Sequence, residues 1–110
     1  MGTPDRGDLV WLDCTPQAGH EQAGRRSALV LSPRAYQQRT PFAVVCPITT
    51  RVKDYPFEVL LPDGLPIAGV VLADQVKSVD RHGRRIEVAG RAPDSVAEQV
   101  NLKLRVLLTG

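Results

Sequence analysis

The segment GDLVWLDC at residues 7–14 mixes alternating polar and apolar side chains and is rich in residues that favour extended structure. Such a pattern predicts a β-strand with a buried face. Further short segments of this kind follow at close spacing: residues 27–32 (SALVLS), 42–47 (FAVVCP), 57–61 (FEVLL), 68–73 (AGVVLA), 75–79 (QVKSV) and 84–89 (RRIEVA). Many short strands in succession predict a small β-barrel.

The pattern changes in the last part of the chain. After Pro93, apolar side chains recur every three or four residues: Val96, Val100, Leu104 and Leu107. This spacing predicts one amphipathic α-helix packed on the barrel. A helical turn is also predicted over residues 34–38, with Ser32 as its N-cap and Pro33 as its first helical residue. The predicted fold class is therefore mainly β with a C-terminal α-helix.

Length and composition narrow the class of protein. The chain has 110 residues, of which 43% are hydrophobic, and a formal net charge of +2. This length suits one domain, which we expect to span residues 1–110. No apolar run approaches the roughly 20 residues that cross a bilayer, and the N-terminus lacks the hydrophobic core of an export signal. We therefore expect no membrane span and a cytoplasmic location.

The residue types that commonly bind metals or cofactors are not arranged as in known metal or cofactor sites. The two cysteines, Cys14 and Cys46, fall in predicted strands, where we expect buried thiols rather than a disulfide scaffold. Paired Cys and His at zinc spacing are missing from the sequence, and its aspartates are scattered. No P-loop, dinucleotide-binding or zinc-protease motif occurs. We expect neither a metal ion nor a cofactor.

Basic residues are unevenly spread along the chain. Arg25 and Arg26 are adjacent, and Arg51 and Lys53 follow in mid-chain. Others lie in the last third: Lys77, Arg81, Arg84, Arg85 and Arg91. On charge alone a solvated basic surface is the first interpretation, and a groove that holds a phosphate backbone is the alternative.

Several motifs occur in a fixed order between about residue 7 and residue 79. Residues 19–32 (GHEQAGRRSALVLS) resemble the signature G-x-E-Q-x-G-x-R-P-x-x-V-x-S, with Ser27 in place of the usual proline. Residues 7–13 resemble the strand that precedes it, and further matches follow: residues 47–50 (PITT), 55–59 (YPFEV) and 74–78 (DQVKS). Together these motifs resemble the MazF/PemK family of toxins.

The resemblance implies a fold, an activity and partners. The fold is an SH3-like small β-barrel of the MazF/Kid/CcdB kind, and the protein a homodimer. The activity is sequence-specific, metal-independent cleavage of single-stranded RNA at a short motif such as ACA, leaving a 2′,3′-cyclic phosphate and a 5′-hydroxyl. The partners are the RNA and a cognate MazE-like antitoxin with an acidic tail.

The resemblance also assigns residues. Arg26 matches the catalytic arginine, Thr49 the catalytic threonine, and Glu21 a loop glutamate implicated in activity. The polar residues expected to line an RNA groove are His20, Gln22, Arg25, Thr50, Arg51, Lys53, Tyr55, Asp74, Gln75 and Lys77.

The assigned residue types suit RNA cleavage. The transition state gathers negative charge on phosphate oxygens, which a guanidinium fork meets with two hydrogen bonds. The Thr49 hydroxyl can donate another, from a side chain whose branching restricts its χ1 angle. An arginine would be an unusual base, because guanidinium groups in general keep their proton at neutral pH. Glu21 is the conventional candidate, His20 titrates near neutrality, and the choice stays open.

Two other functions remain as alternatives. The same barrel occurs in CcdB-like toxins, which bind DNA gyrase and are not enzymes, and a shared fold does not fix function. The chain could also be an inactive relative that only binds an antitoxin. The signature around Glu21 and Arg26, together with Thr49, favours the ribonuclease.

Overall fold

The computed structural model describes residues 2–14 and 24–110, and its elements are mostly strands. In chain order they are β1 (Asp8–Cys14), β2 (Gly24–Val30), α1 (Arg34–Arg39), β3 (Phe42–Thr49), β4 (Glu58–Leu60), β5 (Val70–Leu72), a 3₁₀ turn (Ala73–Gln75), β6 (Lys77–Asp80), β7 (Ile86–Arg91) and α2 (Asp94–Thr109). The predicted fold class, mainly β with a C-terminal α-helix, is confirmed.

All the strand pairings are antiparallel, and β3 is the central strand. The seven-stranded sheet runs in the order β4-β5-β3-β2-β1-β7, and β6 also pairs with β3. One part of β3, from Phe42 to Val45, pairs with β6, while Ile48 and Thr49 pair with β5. Within the described ranges the terminal strands β4 and β7 are not joined, so the sheet is barrel-like and not closed.

Each face of the central strands contributes to its own apolar cluster. Consecutive residues Leu9 and Val10 are both fully buried, and they belong to different clusters because successive side chains of a strand point to opposite faces. The cluster around Leu9 also contains Val96 and Val100, so it includes the packed face of α2. This explains why the helical stripe is buried in its first half.

The second half of that stripe is more exposed than the periodicity predicts. Leu104 is partly buried against the core, but Leu107 is 48% exposed. The helix packs mainly on the 3₁₀ turn and β4, and its last turns extend past them. Within the described residues, no helix is long and apolar enough to cross a membrane.

The prediction for Ser32 is wrong. Pro33 holds the N-cap position of α1 and makes no side-chain capping bond, while the Asp5 carboxylate accepts a hydrogen bond from the backbone N–H of Arg34, the first residue of that helix, at 2.8 Å. The Ser32 hydroxyl instead accepts a hydrogen bond from the backbone N–H of Val44, at 2.8 Å. Since β3 lies alongside, this bond satisfies a strand N–H and binds the α1 entry to the sheet. The prediction of a buried thiol is confirmed for Cys46, whereas the side chain of Cys14 lies outside the described residues.

Candidate active site

A groove of about 300 Å³ opens where β3 ends. Three separate parts of the chain meet there: the end of β3 with the loop after it, the start of β4, and β5 with the 3₁₀ turn. The lining residues are Thr49, Arg51, Lys53, Tyr55, Glu58, Leu72, Asp74 and Gln75. The predicted catalytic threonine and five of the predicted RNA-binding residues therefore line one concave surface.

Thr49 is the last residue of β3 and is held on both sides. Its backbone pairs with Val70 of β5. Its Oγ1 accepts a hydrogen bond from the backbone N–H of Arg51, at 3.1 Å. Because a hydroxyl can accept and donate at once, the O–H of Thr49 can still donate to a phosphate oxygen. The half-buried side chain therefore keeps a free donor at the groove wall.

Arg26 lies on β2, beside the strand that carries Thr49. The pairing of these strands runs from Val30 with Val45 to Ala28 with Pro47. Arg26 and Thr49 each lie two residues beyond that last pair. Directly opposed residues of antiparallel strands share a face of the sheet. The exposed Arg26 side chain is not among the residues that line the groove. Because residues two apart on a strand also share a face, both positions lie on the face of Ala28 and Pro47.

Arg25 points elsewhere, although it was predicted to bind RNA. Its guanidinium forms an ion pair with Glu87 at 2.9 Å and lies over the ring of Trp11, 5.0 Å from the centroid. These three residues are neighbours across β2, β1 and β7. The alternation of a strand explains the result, since adjacent residues project from opposite faces.

Two other predicted RNA-binding residues, Thr50 and Lys77, are exposed but do not line the groove. The predicted RNA-binding residues His20 and Gln22 and the predicted catalytic Glu21 lie outside the described residues, so their assignments stay predictions.

Glu58 was not predicted as a site residue, yet it lines the groove. Its carboxylate accepts a hydrogen bond from the backbone N–H of Lys53, at 3.0 Å to one oxygen and 3.4 Å to the other, and one from the N–H of Tyr55 at 3.3 Å. An acidic residue that closely follows a short polar loop often accepts hydrogen bonds from the backbone N–H groups of that loop. That signal is weak in a single sequence, because many exposed glutamates show it.

Tyr55 and Asp74 face each other across the groove. Hydrogen bonding to the Asp74 side chain, and then the negative charge of that carboxylate, raise the pKa of the exposed Tyr55 hydroxyl above its ordinary value. The Tyr55 ring also contacts that of Phe57, with centroids 5.9 Å apart. One oxygen of Asp74 has an unusual environment, because its Oδ1 is buried with no hydrogen-bond partner among the described residues.

Acidic groups near the groove do not form a metal-binding cluster. Within residues 2–14 and 24–110, no group of three or more His, Cys, Asp or Glu side chains is placed to hold a metal ion. The groove combines a hydroxyl donor, an exposed aromatic ring, two basic side chains and the carboxylates of Glu58 and Asp74. The hydroxyl, the two cations and the ring are groups that can contact a phosphate backbone and a base.

The fold is that of a known class of toxin. The chain belongs to the family described as the PemK-like, MazF-like toxin of type II toxin–antitoxin systems, whose model matches residues 5–108. It is 44% identical over 105 residues to the endoribonuclease toxin MazF of Escherichia coli K12, covering 96% of this chain and 94% of that protein. It is 34% identical over 112 residues to the endoribonuclease PemK of Escherichia coli, covering 96% and 82%.

Solved structures give the same result. The chain is 56% identical to a chain in the crystal structure of MazE–MazF (Form-II) from Deinococcus radiodurans, with a TM-score of 0.91 and 96% of each chain covered. For MazF (Form-I) from the same organism the identity is 55%, the TM-score 0.86 and the coverage 98% of each chain. The chain is thus a member of the MazF/PemK endoribonuclease toxins, and the comparisons do not support the gyrase-binding alternative.

Proposed function

We propose that this toxin cuts single-stranded RNA at a specific short sequence without a metal ion, in the cytoplasm, with residues 1–110 acting as one domain. The observation that carries the proposal is the groove at Thr49, where a hydroxyl donor lies beside Arg51 and Lys53. The endoribonuclease activity named for the MazF and PemK relatives supports it. The CcdB-like alternative offers no use for a hydroxyl donor beside Arg51 and Lys53.

The chemistry we propose is an internal transfer of the phosphate. The 2′-oxygen of the RNA forms a bond to phosphorus while the bond from phosphorus to the 5′-oxygen breaks. The proton of the 2′-hydroxyl passes to a base, for which Glu21 is our first candidate and His20 the second. The leaving 5′-oxygen takes up a proton from water, so the products are a 2′,3′-cyclic phosphate and a 5′-hydroxyl.

Arg26 and Thr49 stabilise the charge that develops in this step. A guanidinium can donate two parallel hydrogen bonds to the non-bridging oxygens, and it keeps its charge at any physiological pH. The Thr49 hydroxyl donates one more. Such preorganised donors typically lower the barrier by several kcal/mol. The position of both residues two beyond the Ala28–Pro47 pair, on one face of the sheet, supports this pairing.

The groove would bind the RNA through separate contacts to phosphates and bases. Arg51 and Lys53 suit the phosphates, and the exposed Tyr55 ring suits stacking on an unpaired base. Asp74 and Gln75 offer hydrogen-bonding groups to base edges. The other proposed contacts are His20, Gln22, Thr50 and Lys77. Arg25 is left out of this proposal, because its guanidinium is paired with Glu87 on the other face of the sheet. The recognised sequence is proposed to be short, with ACA as the first candidate.

A cognate MazE-like antitoxin is the proposed protein partner. The Deinococcus radiodurans relative was solved as a MazE–MazF complex, which supports such a partner here. An acidic, partly disordered tail could lie along Arg51 and Lys53 and take the place of RNA phosphates. Adding the antitoxin should then stop cleavage, whereas continued cleavage within a stable complex would contradict occlusion of the groove.

The toxin is proposed to act as a homodimer. A domain of this size buries a modest fraction of its surface. Large apolar side chains on the last turns of α2 are exposed, among them Leu102 at 59% and Val106 at 65%. These exposures support a second copy covering part of the surface. Sedimentation should give a dimer at micromolar concentration, and a monomer there would contradict the proposal.

The experiment that tests the activity is cut-site mapping on a long RNA of known sequence in the presence of EDTA. The proposal predicts discrete fragments that share a short sequence at the cut, with cyclic phosphate at one end and a 5′-hydroxyl at the other. Intact RNA, or fragments with 5′-phosphate ends, would contradict it. Inhibition of DNA gyrase by a protein that leaves RNA intact would revive the alternative.

A further inference from the structure

The loop between β3 and β4, residues 50–57, carries three groove residues but has no regular structure. Arg51, Lys53 and Tyr55 are all exposed, and none belongs to a helix or strand. Exposed loops with few packed side chains usually sample many conformations. A loop that has to present two cations and an aromatic ring in fixed places therefore needs a specific restraint.

Glu58 provides hydrogen bonds of the kind such a restraint requires. Its carboxylate accepts the backbone N–H of Lys53 with both oxygens, at 3.0 and 3.4 Å, and the N–H of Tyr55 at 3.3 Å. Its own N–H donates to the Tyr55 carbonyl oxygen at 3.0 Å. Between the two donors, Asp54 adopts a left-handed backbone with φ of 54°. This turn directs the N–H groups of Lys53 and Tyr55 toward one carboxylate.

Glu58 itself is held by the sheet and not by the loop. It begins β4, and it pairs with Leu72 of β5, another residue of the groove wall. The next residue, Val59, is 1% exposed and belongs to the main apolar cluster. The carboxylate therefore projects from a well-packed strand. Its hydrogen bonds to Lys53 and Tyr55 restrain the loop relative to that strand.

We propose that Glu58 is a positioning residue for RNA cleavage, which fixes the loop so that Arg51, Lys53 and Tyr55 are prearranged for the substrate. The inference rests on the proposed function for its role in cleavage. Hydrogen bonds to a carboxylate are stronger than those to a neutral acceptor. A prearranged loop loses less conformational entropy when it binds, so the gain is in affinity for RNA.

The same groove position raises the question of whether Glu58 could act as the base. Its oxygens already accept main-chain N–H groups of Lys53 and Tyr55, which favours a role in holding the loop. The two roles respond differently to substitution. Glu58→Gln keeps one oxygen acceptor and should retain part of the restraint, but an amide cannot take up the 2′-hydroxyl proton.

The first test measures loop order without any RNA. Amide hydrogen exchange at Lys53 and Tyr55 is compared in the parent, Glu58→Gln and Glu58→Ala, with the exposed Glu98→Ala on α2 as the matched control. We expect exchange at both amides at least about tenfold faster in Glu58→Ala, an intermediate change in Glu58→Gln, and parental rates in Glu98→Ala. Parental rates at both amides in Glu58→Ala would overturn the inference.

The second test measures cleavage as a function of pH. We expect Glu58→Ala to raise KM for a short RNA about tenfold with a smaller fall in kcat, Glu58→Gln to lie between it and the parent, and the pH profile to keep its shape. Equal, large losses of kcat in both variants, together with loss of one limb of the profile, would identify a base and overturn the positioning role. If Glu58→Ala does not fold, Glu58→Gln and Glu58→Asp carry both measurements. Failure of the parent to cut RNA would contradict the proposed function alone, because the exchange rates are measured without RNA.

Discussion

Gly69 lies directly against the backbone of Thr49. A Cβ atom at Gly69 would clash with the Thr49 carbonyl oxygen and would lie 2.9 Å from its carbonyl carbon. Gly69 also has a φ of 125°, a conformation that L side chains rarely adopt. The segment before β5 can therefore approach the end of β3 closely, and this approach helps to place Thr49 at the groove.

Gly69→Ala should lower both stability and activity. The added methyl group must displace the Thr49 backbone, and the strained backbone adds a cost of about 1–3 kcal/mol. Urea unfolding and the cleavage rate measure the two effects. Gly64→Ala is the matched control, because Gly64 has a φ of 90° but a Cβ atom there would meet nothing within 4 Å. Equal activity losses in the two variants would show that strain alone, and not contact with Thr49, is responsible.

The cleavage rate should depend more on the Thr49 hydroxyl than on the shape of the Thr49 side chain. Thr49→Val keeps the shape and removes the donor, and loss of one such donor typically lowers kcat by about 10²- to 10³-fold. Thr49→Ser keeps the hydroxyl and should stay within about tenfold of the parent. Cleavage by Thr49→Val at the parental rate would remove Thr49 from the mechanism.

Arg51 and Arg25 should differ in their effect on RNA binding. Arg51 lines the groove, whereas the Arg25 guanidinium is paired with Glu87 and lies over Trp11. Arg51→Ala should weaken binding and lower the slope of log affinity against log salt by about 0.7, the value for one phosphate contact on a single strand. Arg25→Ala should change the slope less. A larger slope change for Arg25→Ala would place the RNA on the Trp11 face. An RNA with a 2′-deoxy nucleotide at the cut site permits the measurement without cleavage.

Stability at high pH should depend on Cys46. Burial, and secondarily the Asp74 carboxylate, raise the pKa of its thiol from 9.0 to about 12. Because the folded state favours the neutral thiol, this contribution to stability is complete below pH 9 and is lost as the pH rises toward 12. The free energy of unfolding should thus fall less steeply in Cys46→Ala than in the parent between about pH 9 and 11. Parallel curves would contradict the burial effect.

Regular patterns made much of the fold predictable from sequence. The residues that favour extended structure in β1, which is buried on both faces, and the three-to-four spacing in α2, which has one packed face, identified both elements. The start of β2 was missed, since residues 24–26 (GRR) carry no apolar side chain. Without residues 24–26 in the strand, the sequence does not show that the side chains of Arg25 and Arg26 project from opposite faces of the sheet.

The residues of the groove were predictable only in part, because some of their contacts depend on backbone conformation and strand pairing. Thr49, Tyr55 and Asp74 stood out because they belong to motifs of the family. Glu58 also belongs to one of those motifs, but its hydrogen bonds to the loop depend on a left-handed turn at Asp54, which the sequence does not reveal. The contact between Gly69 and Thr49 depends on which strands pair across the sheet. A single sequence does not specify such long-range pairings.

The central claim, that Arg26 and Thr49 stabilise the charge of RNA cleavage, is tested most directly by single-turnover cleavage in EDTA. Arg26→Ala and Arg26→Lys are compared with Arg25→Ala, the neighbouring arginine on the opposite face, after circular dichroism shows that all are folded. We predict that Arg26→Ala cuts at least about 10²-fold more slowly, that Arg26→Lys stays impaired because it lacks the guanidinium fork, and that Arg25→Ala stays near the parental rate. Cleavage by Arg26→Ala at the parental rate would contradict the account.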